Sequence, residues 1–439
     1  MRSNFISHGN RHERGQTMIL VAVSIVSLLA MAALAIDVVT LYVARTEIQG
    51  AADAAALAGA KAIADSGLTS LPSTDGHFAA TQTLAQSMAT SAVAAVLASP
   101  NNQVAGVALA ATPAFNFTAN VNGAINNPRV TVALTRTGLP TFFAHIWGRT
   151  AVTVNASATA EAYNPSNMAN NTPISPKGVK PWLVANADPY SPNAPPNNGF
   201  VDVTSGNVES GAIGEEFWLT ADCTAGRSRC SFPPPTNPPG VVTGGPRTVQ
   251  YLPAEVSANA ANVCNPGCAS GTDYQNSIQC ADMNPYQCGS GNGTNAQWDT
   301  IDRINPNGTF FSKQDTRDAV ECLIHATGTG PGNGQDTISL GTWPNGPMQI
   351  SPSGSASLIS TSSSIVTIPV IDVTNPIPAS GAVTVIAFLQ AFVEQINANN
   401  NIQVRVMNVA GCSSAPNASA TITGGNNSSP IPVRLITPP

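Results

Sequence analysis

The sequence predicts an α+β fold hung from one N-terminal helix, and three observations carry that prediction. An uncharged apolar run stands between Arg14 and Asp37, Ala-rich helical sequence follows it without a break, and strand-like alternation and all the cysteines come later. The expected class is therefore α+β: a single transmembrane helix continuing into an amphipathic Ala-rich helix, then a mixed α+β extracytoplasmic region with disulfides.

The apolar run from Gly15 to Ile36 is long enough to span a membrane. A helix rises about 1.5 Å per residue, so about 20 such residues cross a hydrocarbon layer of ~30 Å. Met18, Leu20, Val23, Ile25, Leu28, Leu29, Leu34 and Ile36 are its anchoring side chains. Arg2, Arg11 and Arg14 precede the run and Asp37 follows it. The positive-inside rule then makes residues 1–14 a cytoplasmic tail, 15–36 the span and everything later extracytoplasmic. The expected location is the cell inner (cytoplasmic) membrane, crossed once with the N-terminus in the cytoplasm. A cleaved signal peptide is the alternative, because Ala33-Leu34-Ala35 has the small-x-small pattern a signal peptidase reads. Against cleavage, the run exceeds the usual apolar core of a signal peptide. The helical sequence also carries no Gly or Pro from Asp37 until Gly50.

Beyond Asp37, Leu41, Ile48, Ala51, Ala55, Ala58 and Ala62 recur at helical spacing, while Arg45, Gln49, Asp53 and Lys61 supply polar positions. Small side chains from Ala51 to Ala60 let another helix or a sheet approach closely. Gly67 and Pro72 end the pattern. The face expected to meet a partner helix comprises Asp37, Tyr42, Gln49, Ala51, Ala52, Asp53, Ala55 and Ala58. Asp37 itself is read as an interfacial anchor or a polar contact with that partner, in preference to proton chemistry.

These residues carry a family resemblance. The string from Arg14 to Ala64 resembles the N-terminal module of the TadE/TadG-like proteins of Flp (Tad) pilus assembly. The shared pattern is Gly15-Gln16, an apolar span, Asp37, Leu41-Tyr42, then Gln49 and the run Ala51-Ala52-Asp53-Ala54-Ala55-Ala56-Leu57-Ala58. Relatives cut by a prepilin peptidase resemble Gly followed five positions later by Glu, whereas Gly15 here is followed by Leu20. The resemblance therefore implies a membrane-retained, TadG-like component that is not an enzyme. Its implied partners are the membrane and other pilus-assembly proteins, with no small-molecule substrate. Some TadG-like proteins carry an Asp-x-Ser-x-Ser metal motif; Asp202-Val203-Thr204-Ser205-Gly206 falls short of it. More loosely, the segment from Ile368 to Cys412 is similar to the C-terminal part of such proteins.

Residues 37–163 are expected to form one α+β module. Its parts are a helix over His77–Leu97, strands over Phe115–Val121, Arg129–Thr135 and Ala151–Ala162, and a short helix in Gly138–Arg149 packing Phe142, Phe143, Ile146 and Trp147. Val130, Val132 and Leu134 alternate with Thr131, Ala133 and Thr135, as a half-buried strand requires. Proline density makes residues 164–199 a Pro/Asn-rich linker. Residues 200–439 form a Cys-containing extracytoplasmic domain with a helix over Asp315–Ala326. It also has a buried strand in Ser364–Val373, a strand running on as a helix in Ala382–Ile396, and a last strand in Pro430–Ile436.

Composition excludes some functions. Charged residues make up 10% of the chain and only four are lysines, so there is no basic patch for nucleic acid. The eight cysteines, Cys223, Cys230, Cys264, Cys268, Cys280, Cys288, Cys322 and Cys412, all follow residue 220. An even set confined to one exported region reads as disulfides. Short loops are expected at Cys223/Cys230 and Cys280/Cys288, with Cys322–Cys412 tying in the C-terminus. Zinc is disfavoured: Cys264 and Cys268 have ligand spacing but Cys280 and Cys288 do not. Cys322 beside His325 is read as a bridged cysteine next to a surface histidine. The Gly-rich stretch Thr327–Asp336 lacks the Lys-Ser/Thr of a phosphate loop. No catalytic, metal or cofactor-binding residues are expected, and no cofactor. The predicted function is a non-enzymatic, membrane-anchored component of Flp pilus assembly at the cell envelope. The alternatives are a surface adhesin or an exported hydrolase using the same anchor.

Overall fold

The computed structural model describes residues 13–117, 127–141, 143–144, 148, 150–167, 172–191, 197–221, 240–242, 245–256, 272–280, 286–288, 296–298, 313–326, 332–339, 349–351, 362–374, 381–412, 421–423 and 429–436. They fall into two compact units: Met1–Ala55, Ala94–Thr112 and Val132–Ala158 in the first, and Ala56–Val93, Pro113–Thr131 and Thr159–Pro439 in the second. The second unit thus takes residues 56–93, 113–131 and 159–163 of the 37–163 stretch together with the rest of the chain.

Helix α1 (Glu13–Asp65) runs for 53 residues. No proline interrupts it, and its hydroxyls are satisfied within the helix: Ser24, Ser27, Thr40 and Thr46 donate to the carbonyls of Leu20, Val23, Ile36 and Tyr42, one turn back. Gly67, in the left-handed region at φ 81°, ends the helical path and opens a 3-10 turn over Leu68–Ser70. Helix α2 (Phe78–Ala98) matches the expected His77–Leu97 to within a residue. Gly59 explains the small-residue stretch in part. A Cβ there would lie 3.0 Å from Val130 Cγ1 and 3.1 Å from Val93 Cγ2, so α1 approaches β2 and α2 more closely than a larger residue permits.

The first strands are β1 (Ala114–Asn116), β2 (Arg129–Pro140) and β3 (Ala151–Ala162). Val130, Val132 and Leu134 are buried with exposed or half-buried residues between them, the alternation the sequence predicts. β2 runs on to Pro140, through the start of the expected short helix; Phe142, Ile146 and Trp147 lie outside the described residues. Next come β4 (Ile174–Ser175), β5 (Trp182–Ala185), β6 (Glu216–Ala221), β7 (Thr248–Pro253), α3 (Asp273–Gln279), β8 (Ala296–Trp298) and α4 (Lys313–Leu323). The chain finishes with β9 (Thr337–Ser339), β10 (Gln349–Ser351), β11 (Ile365–Ile371), β12 (Gly381–Val383), β13 (Val385–Ile396), β14 (Ile402–Gly411), β15 (Ile422–Thr423) and β16 (Val433–Ile436).

A four-stranded sheet has the order β1-β2-β3-β16, with the last strand of the chain antiparallel to β3. The second unit contains a closed barrel, β11-β13-β14-β6-β7-β5. Closure removes sheet edges and pairs every strand on both sides. The β6/β7 and β5/β11 pairings are parallel and the other four antiparallel. β13 and β14 are buried along nearly their whole length; most of their side chains are apolar, with Gln390, Gln403, Arg405 and Asn408 as polar residues buried among them. In the same unit, Asn408 Nδ2 donates to the Ala64 carbonyl at 2.8 Å and Ser70 Oγ to the Val409 carbonyl at 3.0 Å, tying the end of α1 to β14.

Three expectations change here. The Ala382–Ile396 run does not turn helical: β13 stays extended to Ile396 because β11 and β14 take its backbone groups on both sides, which outweighs the local apolar pattern. Part of the expected 164–199 linker is core. Residues 178–188 are buried and supply β5, while Lys180 donates to the carbonyls of Ile278 and Cys280 at the end of α3 at 2.7 and 2.8 Å. The prolines mislead because they stand beside short strands, as Pro181 does before β5, where no ladder N–H is lost. Finally, Cys288 pairs with Cys412, Cα atoms 5.7 Å apart, which overturns both a Cys280–Cys288 loop and a Cys322–Cys412 bridge. Cys280 and Cys322 are disulfide-bonded too, while Cys223, Cys230, Cys264 and Cys268 lie outside the described residues.

Candidate anchor and docking site

Helix α1 is the one helix among the described residues long and apolar enough to cross a membrane. Every expected anchor residue, Met18, Leu20, Val23, Ile25, Leu28, Leu29, Leu34 and Ile36, is exposed. A helix apolar on all sides and uncovered by its own protein calls for an apolar surrounding. Its interior hydroxyls are already bonded to the helix backbone, so it presents no unpaired polar group there.

A different pattern begins near the end of the span. Ala33, Asp37, Ala44, Ile48, Ala51, Ala52 and Ala55 are buried at spacings of three, four and seven, with Ala30 and Leu41 half-buried on the same line. This stripe is covered by the chain itself. Asp37, 4% exposed, accepts hydrogen bonds from the backbone N–H groups of Phe143 at 3.0 Å and Ala144 at 2.7 Å. Glu47 accepts from the Ala105 N–H at 2.9 Å, and Gln49 donates to Asp53 at 2.8 Å.

The residues expected to face a partner helix therefore separate into two sets. Asp37, Ala51, Ala52 and Ala55 are buried inside the protein, Asp53 and Ala58 are half-buried, and Tyr42 and Gln49 are exposed. Close-packing small residues serve an intramolecular contact equally well, and sequence cannot distinguish the two uses. The partner of Asp37 carried no signal either, since a backbone N–H has no residue type.

Two polar clusters in the second unit escaped the sequence reading. Arg405 donates to Glu394 at 2.6 Å, to the Gly214 carbonyl at 3.0 Å and to Glu216, beside a cavity of about 520 Å³ lined also by Asp336, Phe392 and Gln395. The charged groups there are already bonded: Arg405 holds Glu394 and Glu216, Asp336 accepts from Ser362, and burial raises the Glu394 carboxyl against the pull of Arg405. Asp188 and Glu215 form the other cluster. Burial first, then the neighbouring Asp188 carboxylate, pushes Glu215 up to about 9, with Arg247 opposing. Asp188 is raised by burial as well. Among the described residues no group of acidic, His and Cys side chains is arranged to hold a metal ion.

The stretch that combines exposed apolar surface, buried carboxylate and alanine stripe also decides the comparison with known families. Residues 15–62 match the Tad family model, Flp pilus-assembly TadE/G-like. The Tad segment lies wholly within α1 and is a small part of the chain; the loosely similar stretch from Ile368 to Cys412 is outside it. Comparison with curated proteins and with solved structures finds no match. The Tad segment thus includes both the exposed apolar half of α1 and most of its buried stripe.

Proposed function

We propose that this protein is a non-enzymatic, membrane-anchored component of Flp pilus assembly at the cell envelope. One observation carries the reading: the family match falls on α1, whose stretch from Met18 to Leu29 exposes apolar side chains on every side. In this reading residues 15–36 cross the inner membrane with the N-terminus in the cytoplasm, and the barrel domain stands outside. The Cys288–Cys412 bridge supports the exported side, because structural disulfides persist in oxidising compartments. Partners are other pilus-assembly proteins. The exposed residues of α1 and the outer surface of the barrel domain are the places for them, since much of the alanine stripe is already covered.

Deleting the gene in its host, with piliation scored by electron microscopy, tests this. Loss of pili, restored by the full chain and not by one lacking residues 1–36, is the expected result. Normal pili with weakened surface attachment would replace it with the adhesin reading. Substrate turnover by the purified full chain, lost on reduction, would favour the hydrolase.

A further inference from the structure

The apolar surface of α1 does not stop at Asp37. Val38 is 57% exposed, Val39 61%, Tyr42 72% and Val43 48%, and no charged residue separates Asp37 from Arg45. Asp37 is the only acidic residue between Glu13 and Glu47 and is turned inward, held by the Phe143 and Ala144 N–H groups. Thr40, the other polar side chain in this turn besides Tyr42, returns its proton to the Ile36 carbonyl at 2.6 Å. After Arg45 the exposed side chains become polar: Thr46, Glu47 and Gln49.

We propose that the lipid contact of α1 extends past Ile36 to Val43, so that Asp37 lies below the outer membrane surface with its carboxylate shielded by the protein's own backbone. This rests on the reading of α1 as membrane-spanning. Two features favour lipid as the occupant. The surface is continuous with the apolar half of α1, and it ends at a tyrosine and an arginine, residues that settle at the headgroup level. The belt from Met18 to Val43 rises about 39 Å along the helix. That exceeds a ~30 Å hydrocarbon layer but fits the ~40–45 Å of a bilayer with its headgroup zones. The two N–H donors lower the cost of this placement by replacing part of the hydration that a bare carboxylate at that depth would lose. The clasp is thus what allows an acidic residue to stand inside the apolar belt.

The full chain, reconstituted in phosphatidylcholine vesicles, tests this with a nitrobenzoxadiazole label on single introduced thiols. Among the described residues no native cysteine is free to compete for label. The four variants are Leu28→Cys, Val39→Cys, Val43→Cys and Thr46→Cys, all at exposed positions. Doxyl-labelled lipid is expected to quench the labels at 39 and 43 several-fold more than the label at 46, approaching the one at 28. Equal, weak quenching at 39, 43 and 46 beside strong quenching at 28 overturns the extension and leaves the spanning reading intact. A label at 28 that lipid does not quench overturns both. Blue-shifted but unquenched labels at 39 and 43 mean that a second copy of the chain covers the belt, which also overturns the proposal.

Discussion

At Asp37 a carboxylate and two backbone N–H groups satisfy one another where water is largely excluded. A charge-assisted bond of this type is worth about 1.5–3 kcal/mol, and losing the acceptor leaves two donors unpaired. Asp37→Ala is therefore expected to speed amide hydrogen exchange at Phe143 and Ala144 by at least tenfold in the detergent-solubilised protein. Asp37→Asn, which keeps an acceptor, has a smaller effect; unchanged exchange in both variants refutes the clasp. Glu215 gives a pH-dependent prediction. Its folded-state value of about 9 lies above the ordinary 4.5, so between those values the folded protein holds a proton that the unfolded chain has released. Stability then falls as pH rises across that window, and burial of Asp188 acts with the same sign. Calorimetric melting at pH 5, 7 and 9 is expected to show a declining midpoint that Glu215→Gln flattens. Parallel slopes in the two proteins would contradict the raised carboxyl.

Helix α1 joins two kinds of glycine that sequence alone treats alike. Gly50 has open space where a Cβ would stand, whereas Gly59 is pressed against Val130 and Val93. Gly50→Ala should stabilise by up to about 1 kcal/mol, because alanine loses less backbone freedom on entering a helix. Gly59→Leu should destabilise by about 1–3 kcal/mol or more through overpacking. Denaturant titration of both variants decides this, and the same sign of change in both would show that the contact does not limit side-chain size. At the scale of the strand, β13 shows why the expected switch to helix failed. Val385–Ile396 is apolar enough for a buried helix or a buried strand, and only its two neighbours in the barrel settle the matter.

Across the molecule, the Cys288–Cys412 bridge links positions 124 residues apart, joining the segment after α3 to the end of β14. On a chain-entropy account, closing so long a loop stabilises by about 5 kcal/mol. The double variant Cys288→Ser/Cys412→Ser is expected to melt several degrees lower, and peptide mapping of the oxidised protein should recover the two cysteines in one cross-linked fragment. Recovery of Cys412 joined to Cys322 would refute the pairing. The ordering of the later strands has a similar long-range character. β16 returns to pair with β3, and β5, from the proline-rich stretch, closes the barrel against β11 and β7.

Local chemistry was legible in the sequence. An apolar run of membrane length, the helical spacing after it, the Val130–Leu134 alternation and the clustering of the cysteines after residue 220 each depend on residues near one another in the chain. They foretold α1, α2, β2 and β3, and the segment that the Tad family model matches. The tertiary structure alone decided what those surfaces meet. It turned Asp37 and much of the alanine stripe inward, drew residues 178–188 into a barrel core and chose the partner of Cys412. The physical reason is common to all three. A backbone N–H, a close approach and a disulfide partner are properties of positions brought together from distant parts of the chain, and residue type and spacing do not encode them.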